Sequence, residues 1–145
     1  MTIWFASDAA IESLAAGFLH CTLPKAKWTH AAHFATAFWL MRHTPERDLL
    51  HAMPGLIRAY NESVGGVNSD TAGYHETITQ VSLRAGRAFL AGRPAEEPLH
   101  EAVDALMAGD LGHADWPLAY WSRERLFSVE ARHGWIAPDL RPLSF

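Results

Sequence analysis

Three histidines and one glutamate stand where they can act together on a bound ion or molecule. His30 and His33 are three residues apart, so on a helix they occupy neighbouring positions of one face. The run Tyr74-His75-Glu76 adds a third imidazole and a carboxylate after a glycine-rich segment. Neutral imidazoles are good ligands for zinc, iron, nickel and copper. The first hypothesis is a divalent transition-metal site formed by His30, His33 and His75.

The same residues also suit acid–base chemistry without a metal. A helix that begins after residues 65–73 has free amides that attract an anionic group, and its dipole disfavours a cationic His75. His75 would remain a neutral base, with Glu76 as acid or base and Tyr74 as the third catalytic group. The structural alternative is that the glycines serve the turns and that Glu76 is only a favourable charge in the first helical turn.

Further residues near these positions are candidates for contact with a small-molecule ligand. They are aromatic, amide and hydroxyl side chains: Trp28, Tyr60, Asn61, Asn68 and Thr71. Trp28 would supply an apolar wall, and the polar groups would supply hydrogen bonds near a lip formed by residues 65–73. The structural alternative for Thr71 is that it caps the helix that follows.

The elements that must position these groups are helices, because apolar residues recur at helical spacing along most of the chain. The first is predicted to begin near Ser7 or Asp8 and to end before Pro24. A second is predicted to begin near Thr29 and to run to about His43. It has almost no polar face, which is typical of a helix in the centre of a bundle.

The rest of the chain continues the helical pattern. A third helix is predicted over residues 44–64, with a kink or break at Pro54-Gly55 because proline removes an internal amide. Further helical segments are predicted at 74–90, 98–107, 115–117 and 122–132. Gly134 is expected to close the last of these, and residues 135–145 are expected to pack across the bundle.

Length and composition agree with one helical domain over residues 1–145. The chain is 49% hydrophobic and contains six Trp and seven Phe, which is enough for a well-packed core. No run alternates strictly between apolar and polar residues, as half-buried strands do. The predicted fold class is all-α, an irregular bundle of about five to seven helices with an extended C-terminal tail.

Charge and cysteine content exclude several function classes. The net charge is -4 and the basic residues are scattered, which argues against a nucleic-acid partner and against an anionic membrane surface. Cys21 is the single cysteine, so an internal disulfide is excluded. Asp8 and Glu12 interrupt the apolar N-terminal stretch, which does not resemble a signal peptide, and no stretch predicts a membrane span. We therefore expect a cytoplasmic protein.

Three short motifs carry a resemblance that covers roughly the first half of the chain. They are W-T-H-A-A-H-F at 28–34, I-R-A-Y-N-E at 57–62 and G-Y-H-E-T-I-T at 73–79. These motifs resemble those of small helical bacterial proteins described as being of unknown function. The resemblance implies a helical fold class and carries over no catalytic residue.

A second resemblance is to DinB-like helical bundles, which hold a metal through three histidines. The present chain departs from that pattern because the expected H-x-x-x-H pair is absent. His43 and His51 lie on either side of Pro45, so they do not share one continuous helix face. The comparison therefore remains an analogy between folds, and a shared fold does not imply a shared function.

The leading hypothesis is a small enzyme, metal-dependent or acid–base, or a small-ligand binder. Its histidine-rich pocket would lie between the helix that begins near Thr29 and the helix that begins near Tyr74. The alternative is a non-catalytic homodimeric interaction protein with structural histidines. In that case Trp135, Leu140 and Phe145 of the tail would form the dimer interface.

Overall fold

The computed structural model describes residues 2–145. Over these residues the regular structure is helical, with seven α-helices and no strand, which confirms the predicted all-α irregular bundle. The helices are α1 (Asp8–Leu19), α2 (His30–His43), α3 (Glu46–Ser63), α4 (Glu76–Ala91), α5 (Leu99–Met107), α6 (Arg123–Leu126) and α7 (Val129–His133). Short 3-10 turns occur at Lys25–Lys27, Asp110–Gly112 and Trp116–Ala119. None of the described helices combines the length and apolar character needed to cross a membrane.

Helix α2 is the central element, as its sequence predicted. The hydroxyl of Thr29 accepts a hydrogen bond from the Ala32 amide, and this cap begins the helix. Eight of its residues are buried, among them Phe34 and Phe38. The helix packs against α1, α3, α4 and α5. A helix that is apolar on almost every side can bury all of its faces only in such a central position.

Helix α3 passes through Pro54, where the sequence predicted a kink or a break, and no break occurs. The proline lies inside one continuous helix, Glu46–Ser63. Proline cannot donate to the carbonyl of Leu50, so one hydrogen bond is lost from the helix, and this loss falls at a residue that is exposed. At the other end of the helix, Tyr60 is fully buried and its hydroxyl donates to the carbonyl of Leu23.

The predicted last helix, residues 122–132, was wrong in one respect, because it is divided in two. Ser122 caps α6 by accepting from the Arg125 amide, and Ser128 caps α7 by accepting from the Ala131 amide. The backbone of Ser128 is extended (φ −69°, ψ 157°), so the helix cannot continue through it. In a continuous helix the carbonyl of Leu126 would accept a hydrogen bond from a backbone amide one turn later. Because the helix is divided, this carbonyl is available to another donor.

The tail after α7 lies across the bundle, as expected. The indole of Trp121 donates to the carbonyl of Ile136, and the Leu140 amide donates to the carbonyl of Tyr120. The ring of Trp135 packs edge-on against Trp121, with 5.8 Å between ring centroids. These contacts hold the tail against the residues between α5 and α7.

The loop between α3 and α4 is organised around one asparagine. Oδ1 of Asn68 accepts hydrogen bonds from the Asn61 side chain and from the Tyr74 amide. Gly73 has a φ of +80°, in the left-handed region that L side chains avoid. A Cβ on Gly73 would overlap the carbonyl oxygen of Val67 and lie 2.6 Å from Oδ1 of Asn68. The start of α4 is therefore placed by backbone geometry that requires glycine.

We predict that Gly73→Ala lowers the free energy of unfolding by about 2 kcal/mol or more. The added Cβ forces a left-handed backbone on alanine and also collides with the loop. Gly55→Ala is the matched control, because Gly55 lies inside α3 with nothing within 4 Å of an added Cβ. That variant should gain about 1 kcal/mol from helix propensity. Urea unfolding of both variants checks this, and equal stabilities would contradict it.

Candidate functional site

A cavity of about 660 Å³ lies between α2, α3 and α4, and α6 and residues 114–118 complete its wall. Most of its surface is apolar, and its large side chains include Trp28, Phe34, Met53, Ile57, Trp116 and Phe127. Its volume is in the range of sites for small organic molecules. The predicted pocket position, between the starts of the second helix and of the helix after the glycine-rich loop, is where this cavity lies.

The cavity brings together six of the predicted site residues. Its lining includes Trp28, His30, His33, Asn61, Tyr74 and His75. Of the loop predicted to form the lip, Gly73 contributes to the lining. Tyr60, Asn68, Thr71 and Glu76 do not belong to it. The three histidines therefore share one cavity, although their ring nitrogens have different surroundings.

His33 is the histidine most open to the cavity. Its ring packs against Trp28 with 4.4 Å between centroids, and it makes no hydrogen bond to any of residues 2–145. The side chain is exposed and belongs to the cavity lining, and neighbouring protein atoms remove part of the hydration of its ring. Loss of hydration, with a smaller effect from His30, lowers the pKa of His33 to about 4. His33 is thus neutral at physiological pH and can both donate and accept a hydrogen bond.

His30 lines the same cavity but is tied to the protein. Its Nε2 donates to the carbonyl of Leu111 at 2.7 Å, which links the start of α2 to the Asp110–Gly112 turn. Its ring packs edge-on against Phe34, with 5.3 Å between centroids. Because a carbonyl only accepts, Nε2 must carry the hydrogen of this bond. His30 therefore has a structural role at the end of the cavity where α2 begins.

His75 is the N-cap of α4, a role that the sequence did not suggest. Its Nδ1 accepts a hydrogen bond from the Ile78 amide, and its Nε2 donates to the carbonyl of Leu126 at 2.7 Å. An amide can only donate and a carbonyl can only accept, so this pair of bonds requires the neutral ring with hydrogen on Nε2. Burial lowers the pKa of His75, and nearby Arg132 acts in the same direction.

Tyr74 and Glu76 form a pair at the edge of the site. The Tyr74 hydroxyl donates to Oε1 of Glu76 at 2.9 Å, and Gln80 donates to Oε2 at 2.7 Å. The guanidinium of Arg58 lies 4.5 Å from the centroid of the Tyr74 ring. Burial and the carboxylate of Glu76 raise the pKa of Tyr74 well above its ordinary value. Glu76 thus orients Tyr74, and only the tyrosine reaches the cavity wall.

Three residues that were predicted to contact a ligand interact with other parts of the protein or lie outside the cavity. Tyr60 is part of the core, where its hydroxyl donates to the carbonyl of Leu23. Asn68 holds the loop before α4 through its side-chain amide. Thr71 is exposed in that loop, and its amide donates to the hydroxyl of Ser69. Thr71 does not cap α4, because His75 does so.

The proposed metal ligands are not arranged as a metal centre. Within residues 2–145, no group of three or more His, Cys, Asp or Glu side chains is placed to hold an ion. In His75 the Nδ1 lone pair already accepts a hydrogen bond from the Ile78 amide, and Nε2 carries a hydrogen. His75 therefore has no lone pair available for a metal in this arrangement, and the metal hypothesis has no geometric support.

Two kinds of lining residue were missed from the sequence. Thr36 lies three residues after His33 on α2, and its buried hydroxyl has no hydrogen-bond partner among the described residues. Its spacing could have suggested it, because i and i+3 share a helix face. Trp116 and Phe127 come from the second half of the chain. Nothing in their sequence context indicates that they face α2.

No protein-family model matches the chain, and no curated protein and no solved structure is significantly similar to it. The resemblance to small helical bacterial proteins therefore stays a prediction. The function must be argued from the cavity and its lining residues.

We predict that protonation of His33 and His75 destabilises the fold. Both have a lower pKa in the folded protein, so the unfolded chain binds protons first as the pH falls. The two neutral histidines should make their full contribution to the free energy of unfolding at pH values above about 6.5, the pKa of histidine in an unfolded chain. It should be lost as the pH falls toward about 4, the folded pKa of His33. Urea unfolding of the protein between pH 7.5 and pH 4.5 measures this loss.

The variant His75→Asn separates the contribution of His75 to the pH dependence of stability from that of His33. Asparagine can cap a helix but does not titrate, so the variant should be less stable than the parent at pH 7.5 and should lose less stability on acidification. His51→Asn is the control, because His51 is exposed on α3 and does not line the cavity. An equal loss of stability in His75→Asn and in the parent would show that His75 does not contribute.

Proposed function

We propose that this protein binds a small, mainly apolar organic molecule in the cavity between α2, α3 and α4. One observation carries the proposal: a cavity of about 660 Å³ has a mainly apolar wall that also includes a few polar side chains, among them His33 and Asn61. An apolar wall with a few directed polar groups is the usual composition of a small-molecule site.

An unpartnered imidazole in the wall supports a ligand rather than an empty packing defect. The side chain of His33 belongs to the cavity wall and makes no hydrogen bond within the described residues. A neutral imidazole has one donor and one acceptor. A ligand in the cavity would supply a hydrogen-bond partner for this ring.

Binding has more support than catalysis. An effective general base has a pKa near the working pH, whereas the pKa of His33 is about 4. The nitrogens of His75 are engaged by Ile78 and Leu126, and Glu76 does not line the cavity. The predicted acid–base pair of His75 and Glu76 is therefore not directed at a bound molecule.

The homodimer alternative has less support from the tail. Leu140 is 57% exposed, but Trp135 packs against Trp121 and Phe145 packs against Trp116 and Tyr120. Two of the three residues predicted to form the interface thus cover the core of their own chain. A dimer stays a prediction that the solution mass would test.

We predict that Ser82→Phe weakens ligand binding by at least about tenfold. Ser82 lies on α4 in the cavity wall, and a phenyl ring there would occupy volume that the ligand needs. Ligand-observed NMR with a library of small aromatic and aliphatic compounds would first identify binders. Calorimetric titration of those binders would then give the affinity of the parent and of the variant.

Ala88→Phe is the matched control for this measurement. Ala88 is exposed on the same helix and does not line the cavity, so its variant should bind as the parent does. Thermal unfolding should show that both variants are folded. The proposal would be overturned if the library gives no binder, or if its binders bind Ser82→Phe as tightly as the parent.

A further inference from the structure

The guanidinium of Arg123 is a cation at the cavity that pairs with no acidic side chain. Arg123 is the first residue of α6, and its side chain belongs to the cavity lining. The guanidinium carbon lies 5.6 Å from the centroid of the Phe127 ring, which is also part of the wall. Within residues 2–145 it forms no ion pair. Because Arg123 is exposed, its charge is hydrated and accessible to an anion at the rim.

Two further guanidinium groups lie beside the lining residues that precede α4. Arg132 donates hydrogen bonds to the carbonyls of Gly73 and Tyr74, and both of these residues line the cavity. Arg58 lies 4.5 Å from the centroid of the Tyr74 ring. Neither arginine forms an ion pair with the described residues, although the carboxylate of Glu76 also lies beside Tyr74 and accepts its hydroxyl hydrogen. These cations add positive potential where α4 begins, which favours an anionic ligand.

The carboxylate of Asp115 is the opposing charge in the wall. Asp115 is exposed, belongs to the lining and makes no ion pair with Arg123. The lining residues by themselves thus present one charge of each sign. Arg58 and Arg132 stand outside this balance and add to the positive side, so an anion is favoured over a cation.

The apolar part of the wall determines what the rest of the ligand must be. It includes the rings of Trp28, Phe34 and Trp116 and the side chain of Ile57. A charged group placed among these side chains would lose its hydration without a compensating charge. The charged end of a ligand therefore belongs at the exposed guanidinium of Arg123, while an apolar body occupies the cavity.

We propose that the ligand is an organic carboxylate with an apolar body, and that its carboxylate binds the guanidinium of Arg123 at the rim. This inference rests on the proposed ligand binding and adds the chemical class of the ligand and the residue that recognises it. A guanidinium presents two parallel N–H donors that match the two oxygens of a carboxylate. Because both groups keep contact with water, the gain over an uncharged end group is modest, about fivefold in affinity.

Three probes with the same apolar body differ in the charge of the end group: 4-phenylbutyrate, 4-phenylbutanol and 4-phenylbutylamine. Calorimetric titration of the full chain at neutral pH and low salt should show that 4-phenylbutyrate binds about fivefold more tightly than 4-phenylbutanol. It should also bind more tightly than 4-phenylbutylamine. High salt should reduce the advantage of the carboxylate and leave the affinity for the alcohol nearly unchanged, because dissolved ions screen exposed charges.

The variant Arg123→Gln tests the contact, because glutamine is polar but carries no charge. The affinity for 4-phenylbutanol should be unchanged, and the preference for 4-phenylbutyrate should fall to within about twofold. Arg47→Gln is the matched control, because it changes the net charge equally at a side chain that is 94% exposed and does not line the cavity. Its variant should keep the full preference, and thermal unfolding should show that both variants are folded.

The variant Asp115→Asn is a second test that does not depend on the folding of Arg123→Gln. Removing the carboxylate of Asp115 removes a charge that repels an anion and attracts a cation. The affinity for 4-phenylbutyrate should rise, and the affinity for 4-phenylbutylamine should fall.

The outcomes distinguish this inference from the function on which it rests. Equal affinity of the parent for 4-phenylbutyrate and 4-phenylbutanol would overturn the anion contact and leave apolar binding intact. Tightest binding of 4-phenylbutylamine would overturn it in favour of a cation at Asp115. An undiminished preference in Arg123→Gln would overturn the assignment to Arg123. If none of the three probes binds, the inference fails, while the library screen with Ser82→Phe decides separately whether the cavity binds another molecule.

Discussion

The neutral imidazole of His75 joins two parts of the chain that are far apart in sequence. Its Nδ1 accepts a hydrogen bond from the Ile78 amide at the start of α4, and its Nε2 donates one to the carbonyl of Leu126 at the end of α6. That carbonyl is available because Ser128 ends one helix and begins another. Arg132 of α7 also donates to the carbonyl of Gly73 just before α4. The wall that α4 and α6 contribute to the cavity therefore depends on one uncharged ring.

The helices around the cavity are well packed, but one of their buried polar groups adds no hydrogen bond to the stability of the fold. Helix α2 buries most of its surface in the bundle and lines the cavity, yet the buried hydroxyl of its Thr36 has no hydrogen-bond partner among the described residues. A protein selected only for stability would carry valine at that position, because the hydroxyl adds no contact within the chain. Local groups that oppose stability are most often found where a protein binds or acts.

Local signals in the sequence predicted the helices well and predicted their interruptions poorly. Ser7, Thr29 and Ser122 cap helices near the predicted positions, because capping needs only the hydroxyl and the next turn. No break occurs at Pro54, where a kink or a break was predicted, and the division at Ser128 was not predicted. At the division, the carbonyl of Leu126 meets the ring of His75, a residue 51 positions away in sequence, and a pattern of local spacing does not reveal such a contact.

The sequence by itself determined the helical class and predicted the central position of α2. It nominated His30, His33, His75 and Glu76 for one pocket as a hypothesis, since spacing alone gives no distances between helices. Those conclusions follow from helical spacing and from glycine in one loop, which are local properties. Only the tertiary structure decided which imidazole remains unpartnered. His30 and His75 bond to carbonyls of residues far along the chain, at Leu111 and Leu126, whereas His33 meets no such group. Long-range hydrogen bonds of this kind leave no periodic pattern in the sequence. The histidine without a hydrogen-bond partner could therefore be identified only from the tertiary structure.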